Sequence, residues 1–153
     1  MHKMCEDYLN NEWHEDKIVP FDTYLFKQIK DILDQHVDNI YGLEVPLFSH
    51  YLRCAGTVDC VAEFMGTKSI IDFKTSRKQK QESWITNYFM QESAYAVMFE
   101  ERTKIPIVQL VTIIATEEQE PQIFIQHRDD WIDRFMVARN QYDAMKMQAV
   151  NER

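Results

Sequence analysis

Gly56-Thr57-Val58-Asp59-Cys60-Val61-Ala62-Glu63-Phe64-Met65-Gly66-Thr67-Lys68-Ser69-Ile70-Ile71-Asp72-Phe73-Lys74 decides how this chain folds. Small and β-branched residues fill Tyr51–Phe64, and Lys68–Phe73 contains the compact apolar run Ser69-Ile70-Ile71. Met65-Gly66-Thr67 between them reads as a hairpin turn. Asp59 and Asp72 are equally far from that turn, so pairing about it brings both acids to the same end of the hairpin. Side chains on a strand alternate faces, so Asp72 and Lys74 point the same way.

Upstream, Tyr41–Phe48 is short and extended, broken by Gly42 and Pro46, and supplies a first strand. The connections are too short for parallel crossovers, so the three strands form an antiparallel meander. Before them, residues 3–13 read as a short helix that breaks at Asn10-Asn11. A long amphipathic helix follows, opening at Asp22-Thr23 and running to Asn39. After the meander come a polar, basic segment (Thr75–Ser83) and a helix over Glu82–Arg102. A near-continuous apolar strand then spans Ile107–Ala115, which implies burial on both faces. A strand at Gln122–His127 leads to a last helix, capped by Asp129-Asp130, with Trp131, Phe135, Ala138, Tyr142 and Met145 as its apolar stripe. This order makes one α/β domain over residues 1–153, with helices on a mixed sheet.

Composition excludes several classes. There are 25 acidic against 17 basic residues, a formal net charge of −8, and a pI near 5.1. Binding of nucleic acid by bulk positive charge is therefore ruled out, though not by a local patch. No apolar run approaches the ~18–20 residues of a membrane span. Cys5, Cys54 and Cys60 are three in number with no Cys-x-x-Cys. They read as small, partly buried side chains in a reducing compartment, and an all-Cys metal site would lack a ligand. Met1–Asp7 carries neither an apolar signal core nor the basic character of a transit peptide. The expected location is the cytoplasm of a bacterium or phage-infected host rather than the mitochondrial matrix.

Two carboxylates facing each other on paired strands repel, and a divalent cation offsets that repulsion. Mg²⁺ prefers one or two carboxylates together with water and phosphate oxygens. Asp59 and Asp72 are therefore candidate ligands, with the Phe73 carbonyl between Asp72 and Lys74 as a further one. Lys74 is placed to orient water or to stabilise a charged transition state. Glu44 offers a third carboxylate from the first strand. Gln91 and Tyr95, four apart on a helix, share a face. Lys74, Arg77, Lys78 and Lys80 put four cations within seven residues, as a rim that tracks phosphate.

The set Gly56-x-x-Asp59, Asp72-x-Lys74-Thr75-Ser76 and Gln91-x-x-x-Tyr95 resembles the PD-(D/E)XK nuclease superfamily. The Gln-x-x-x-Tyr spacing points to its RecB-like exonuclease branch. The runs Gly56–Glu63 and Ile71–Ser76 are similar to the mitochondrial genome maintenance exonuclease and related phage exonucleases, with the likeness covering roughly residues 1–115. The resemblance implies a restriction-endonuclease-like core. It also implies Mg²⁺ or Mn²⁺ on Asp59 and Asp72, and a catalytic Lys74. DNA would be positioned by Gln91 and Tyr95, beside Thr75, Ser76, Arg77, Lys78 and Lys80. Glu44 falls where such enzymes often carry an acid. The branch also places a His after Gly-Thr-x-x on the first helix as an extra metal ligand. His2 takes that place here with only Met1 before it, so a chain shortened at its N-terminus relative to relatives is expected. His14 is the rival candidate. An iron–sulfur cluster, which some relatives carry, needs four Cys and is not expected.

The function implied is a metal-dependent deoxyribonuclease, most simply an exonuclease on single-stranded ends. The partner is DNA, with no membrane and no nucleotide cofactor. A catalytically impaired nuclease fold that only binds DNA is the alternative. A site-specific endonuclease shares the same chemistry.

Overall fold

The computed structural model describes residues 1–12 and 20–151. The hairpin is as its sequence implies. Strands β2 (Cys54–Phe64) and β3 (Thr67–Ser76) are antiparallel, joined by Met65 and Gly66. Both turn residues have positive φ, 51° and 80°, the signature of the two-residue turn whose twist suits a hairpin. Pairing runs from Phe64↔Thr67 to Cys60↔Ile71. Asp59 and Asp72 stand at the next step, where the two strands separate.

β1 (Val37–Ser49) pairs antiparallel with β2. It is longer than the expected Tyr41–Phe48, and the helix before it, α2 (Pro20–His36), is correspondingly shorter than the expected run to Asn39. Val37 fits a helical stripe but pairs with Phe64 instead, and Met65 N–H donates to the His36 carbonyl. Tertiary pairing thus overrides the local pattern. The start of β1 is irregular, with register shifts around Ile40 and Asn39 at φ 44°.

After β3 a short 3₁₀ turn at Glu82–Trp84 leads into α3 (Thr86–Thr103). That helix is the crossover returning the chain to β4 (Gln109–Thr116), which lies parallel to β3. β5 (Gln122–His127) adds antiparallel to β4, so the sheet order is β1-β2-β3-β4-β5. Seven of the eight β4 residues are buried, as its unbroken apolarity implies.

The sheet carries helices on both faces. On one, α1 (His2–Leu9) and α2 bury Cys5, Leu25, Phe26, Ile29 and Leu33 against Cys60, Phe64, Ile71 and Phe73. On the other, α3 buries Phe89, Ala96, Met98 and Phe99 against Val61, Ile70, Leu110 and Ile114. α4 (Ile132–Asn151) departs from expectation: it buries no residue of its own, and Tyr142 and Met145 of the expected stripe are 51% and 68% exposed. Asp129-Asp130, expected as its cap, lies in a 3₁₀ turn (Arg128–Asp130) just before it, and that turn is itself capped by His127, whose ring nitrogen accepts from Asp129 N–H. Among the described residues no helix is long and apolar enough to cross a membrane.

Candidate active site

At the splayed end of the β2–β3 hairpin the chain gathers its acids. Asp59 Oδ2 accepts from Phe73 N–H at 2.8 Å. Asp72 is 6% exposed. Its Oδ2 lies 3.1 Å from Lys74 Nζ, yet no well-directed hydrogen bond satisfies that buried oxygen. A buried carboxylate oxygen without full satisfaction is costly. Burial, the neighbouring Asp59 and, against them, Lys74 leave the Asp72 carboxyl pushed up to about 7. Burial would raise Asp59 as well, but bonds from His2, Asp72 and the Phe73 N–H bring it below the usual carboxylate range. The two acids perturb each other and do not ionise independently. An additional cation would relieve both the orphaned oxygen and the repulsion, so the donor set fits a hard divalent metal.

Lys74 sits between carboxylate and aromatic ring. Burial works against its charge, but Asp72 and Asp59 outweigh this and hold its pKa above the ordinary lysine value. Its ammonium also lies 4.7 Å from the Tyr88 ring centroid. It is therefore a fixed cation, suited to stabilising charge rather than accepting a proton.

The first helix brings its imidazole to the same place. His2 Nε2 lies 2.5 Å from the Phe73 carbonyl oxygen and 3.5 Å from Asp59 Oδ2. The hydrogen bond to Asp59 raises the His2 pKa, partly opposed by burial. The Phe73 carbonyl, expected as a metal donor, here accepts from His2. Glu44 (φ 48°) lies in the β1 stretch facing Asp59. Its pKa is raised by burial and by Asp59 and Glu6. Among the described residues, no three His, Cys, Asp or Glu side chains converge closely enough to hold a metal by themselves. What the fold brings together here is the Asp59 and Asp72 carboxylates, with His2 beside Asp59 and Lys74 beside Asp72. His14 lies outside the described residues.

α3 closes the other side. Gln91 Nε2 donates to the Tyr95 hydroxyl at 2.9 Å. Burial and the nearby Asp72 and Asp59 charges push the Tyr95 phenol up to about 12, so it keeps its proton. Thr75 and Ser76 finish β3. Ser76 Oγ donates to the Lys78 carbonyl, which starts the basic loop. Gln79 and Lys80 are pinned to Gln119 and Gln122 of the β4–β5 region. Arg77 is paired with Glu118 at 2.8 Å, whereas Lys78 and Lys80 make no ion pair among the described residues.

Three features lay outside the sequence reading. Trp84, 63% exposed, lines a hollow with Ser76, Arg77, Lys78 and Lys80. Its position just before the Gln91-x-x-x-Tyr95 helix was the available signal. Glu92, the neighbour of Gln91, is fully buried against Thr112. Phe48 and Arg102 meet at the far end of the β1–β2 hairpin. Cys5 and Cys60 are fully buried, and burial pushes their thiols up to about 12, so they are inert core side chains.

No family model matches the chain, and no curated protein matches it in sequence. Among solved structures it is similar to the crystal structure of a "Putative exonuclease" from Eubacterium rectale, with a TM-score of 0.56 and 11% identity. The match covers 98% of this chain, which spans 66% of that protein's length. At that identity the likeness concerns fold alone. The fold is α/β with a restriction-endonuclease-like core, a mixed sheet flanked by helices.

Proposed function

We propose that the chain is a metal-dependent deoxyribonuclease of the PD-(D/E)XK type, RecB-like branch, acting as an exonuclease on single-stranded DNA ends. The observation that carries this reading is Asp59 and Asp72 at the open end of one hairpin, with an unsatisfied buried Asp72 oxygen and the Lys74 ammonium 3.1 Å from it. The fold shared with a protein described as an exonuclease supports it.

In this reading Asp59 and Asp72 hold Mg²⁺ or Mn²⁺, with the Phe73 carbonyl, His2 and Glu44 as the further donors at hand. The cation supplies activation of water and neutralisation of charge on the scissile phosphate. Lys74 keeps its proton and faces the charge that develops during in-line attack, where a preorganised cation acts most strongly. Gln91 fixes the Tyr95 hydroxyl, and together they bound the phosphate on the α3 side. Thr75, Ser76, Lys78 and Lys80 follow the backbone beyond it. Asp72→Asn is the direct test. It should fold, since burial already favours a neutral side chain there, and should lose Mn²⁺-dependent degradation of labelled single-stranded DNA. Undiminished degradation would remove the proposal.

A DNA-binding module without catalysis is the second reading, favoured by the lack of a complete three-side-chain metal cage among the described residues. Calorimetric titration with Mn²⁺ separates the two: DNA binding with no metal uptake and no cleavage selects the module.

A further inference from the structure

The β1–β2 hairpin extends past the acids into a groove that the proposed chemistry does not use. It is lined by Pro46–Phe48 of β1 and Ala55–Thr57 of β2, with Arg102 from the end of α3, and is an open hollow of about 580 Å³. That volume falls in the range of small-ligand sites. The register pairs Pro46 with Thr57 and Phe48 with Ala55. Thr57 is two residues from Asp59 and Ala55 four, so the groove lies about 7–13 Å along the strand from the carboxylates. Gly56, which lines it, also supports the Tyr95 ring. The groove thus lies beside the candidate active site, with Gly56 and Tyr95 between them.

Its chemistry is specific. The Arg102 guanidinium lies 3.9 Å from the centroid of the Phe48 ring. Phe48 is 49% exposed and meets His50 edge-on at 5.4 Å. Arg102 has no carboxylate partner among the described residues, and the adjacent Glu101 accepts instead from Ser49 Oγ at 3.1 Å. A flat, aromatic-backed cation beside open space is a surface for a nucleobase with its phosphate. An apolar occupant would bury the guanidinium without a counter-charge.

We propose that this groove is a nucleotide subsite: one base of the single strand, a nucleotide or two from the cleaved bond, stacks on the Arg102–Phe48 pair, and its phosphate meets the guanidinium. The subsite rests on the nuclease reading for its substrate but not for its existence. Its occupant is held by stacking, so it accepts any base sequence.

The test uses the full chain and fluorescein-labelled oligothymidylate of eight residues, intact or with one abasic position moved along the strand. Binding is read by anisotropy without divalent metal, and cleavage separately with Mn²⁺. Phe48→Ala and Arg102→Met should each weaken binding of the intact strand, Phe48→Ala by roughly five- to hundred-fold. In the unaltered protein one abasic position should weaken binding, and in Phe48→Ala that position should no longer matter. Both side chains are exposed, so these changes spare the core, and unchanged thermal melting checks it. Equal affinity of the variants, an abasic profile that survives Phe48→Ala, or no binding by the unaltered protein overturns the subsite. Phe48-dependent binding without cleavage supports the subsite while the nuclease reading fails. Cleavage with Phe48-independent binding does the reverse.

Discussion

Gly56 lies directly against the ring of Tyr95: a Cβ at position 56 would stand 2.9 Å from both Cε1 and Oη of that tyrosine. Real side chains do not approach so closely, and the buried ring, held through its hydroxyl by Gln91, has little freedom to retreat. Gly56→Ala should therefore cost about 1–3 kcal/mol of stability as an overpacked contact. It should also displace the Tyr95 hydroxyl and lower cleavage. Tyr95→Phe removes the hydroxyl without crowding. If the hydroxyl is what matters, Tyr95→Phe should match the activity loss of Gly56→Ala while melting nearer to the unaltered protein. Equal melting of Gly56→Ala and the parent would show that the ring is not so confined.

Glu92 gives the pH dependence. It is fully buried, and both carboxyl oxygens lie near the Thr112 hydroxyl, at 2.9 and 2.7 Å. One hydroxyl carries one proton, so a protonated Glu92 lets acid and hydroxyl each donate to the other. Burial first, and Asp72 second, push this carboxyl well above its ordinary value. The folded state then binds the proton more tightly than the unfolded state. Stability from this group is complete below about pH 4.5 and declines as pH rises toward the folded-state value. Glu92→Gln imitates the neutral acid. It should be near neutral at pH 5 and should stabilise increasingly toward pH 9, read as melting temperature across that range. A constant difference between the two proteins would place a charged Glu92 in the fold at every pH.

The hairpin was legible because it is local. A two-residue turn sets the register, the register fixes Asp59 opposite Asp72, and period-two alternation puts Lys74 beside Asp72. Gln91 and Tyr95 followed from the spacing of one helix. The boundary at Val37 was not legible, because Val37 and Ile40 satisfy a helical stripe equally well. Only their partners Phe64 and Ala62, more than twenty residues away, decide for strand. α4 misled for the opposite reason: its stripe is genuine in sequence, but beyond Phe135 little of this chain covers it. Glu92 reads as a surface acid until Thr112 is placed opposite it. Phe48 and Arg102 are 54 positions apart and meet only through the fold.

Lys74→Met separates chemistry from binding. The lysine is held by Asp72 at 3.1 Å and by the Tyr88 ring, inside the site rather than on the basic loop. Its interaction is with charge that develops in the transition state, so binding energy should change little. Loss of one such preorganised group costs roughly 10²–10³ in rate. Single-turnover cleavage with Mn²⁺ should slow by that factor, while anisotropy with oligothymidylate stays close to the parent. A large loss of affinity with normal turnover would move Lys74 from catalysis to strand binding.

The basic loop should act through salt and stacking together. Arg77 is engaged by Glu118, so Lys78 and Lys80 are the cations left to meet phosphate, with Trp84 exposed beside them. Each phosphate neutralised on a single strand contributes about 0.7 to the slope of log affinity against log salt. Lys78→Gln with Lys80→Gln should lower that slope by about 1.4, whereas Arg77→Gln alone should lower it less, since freeing Glu118 accompanies the loss. Trp84→Ala should weaken binding with the slope intact, because a stacked base releases no counterion. Affinity measured between low and physiological salt for all three variants decides the matter: a slope that falls with Trp84 but not with the lysines would mean that the strand takes another path.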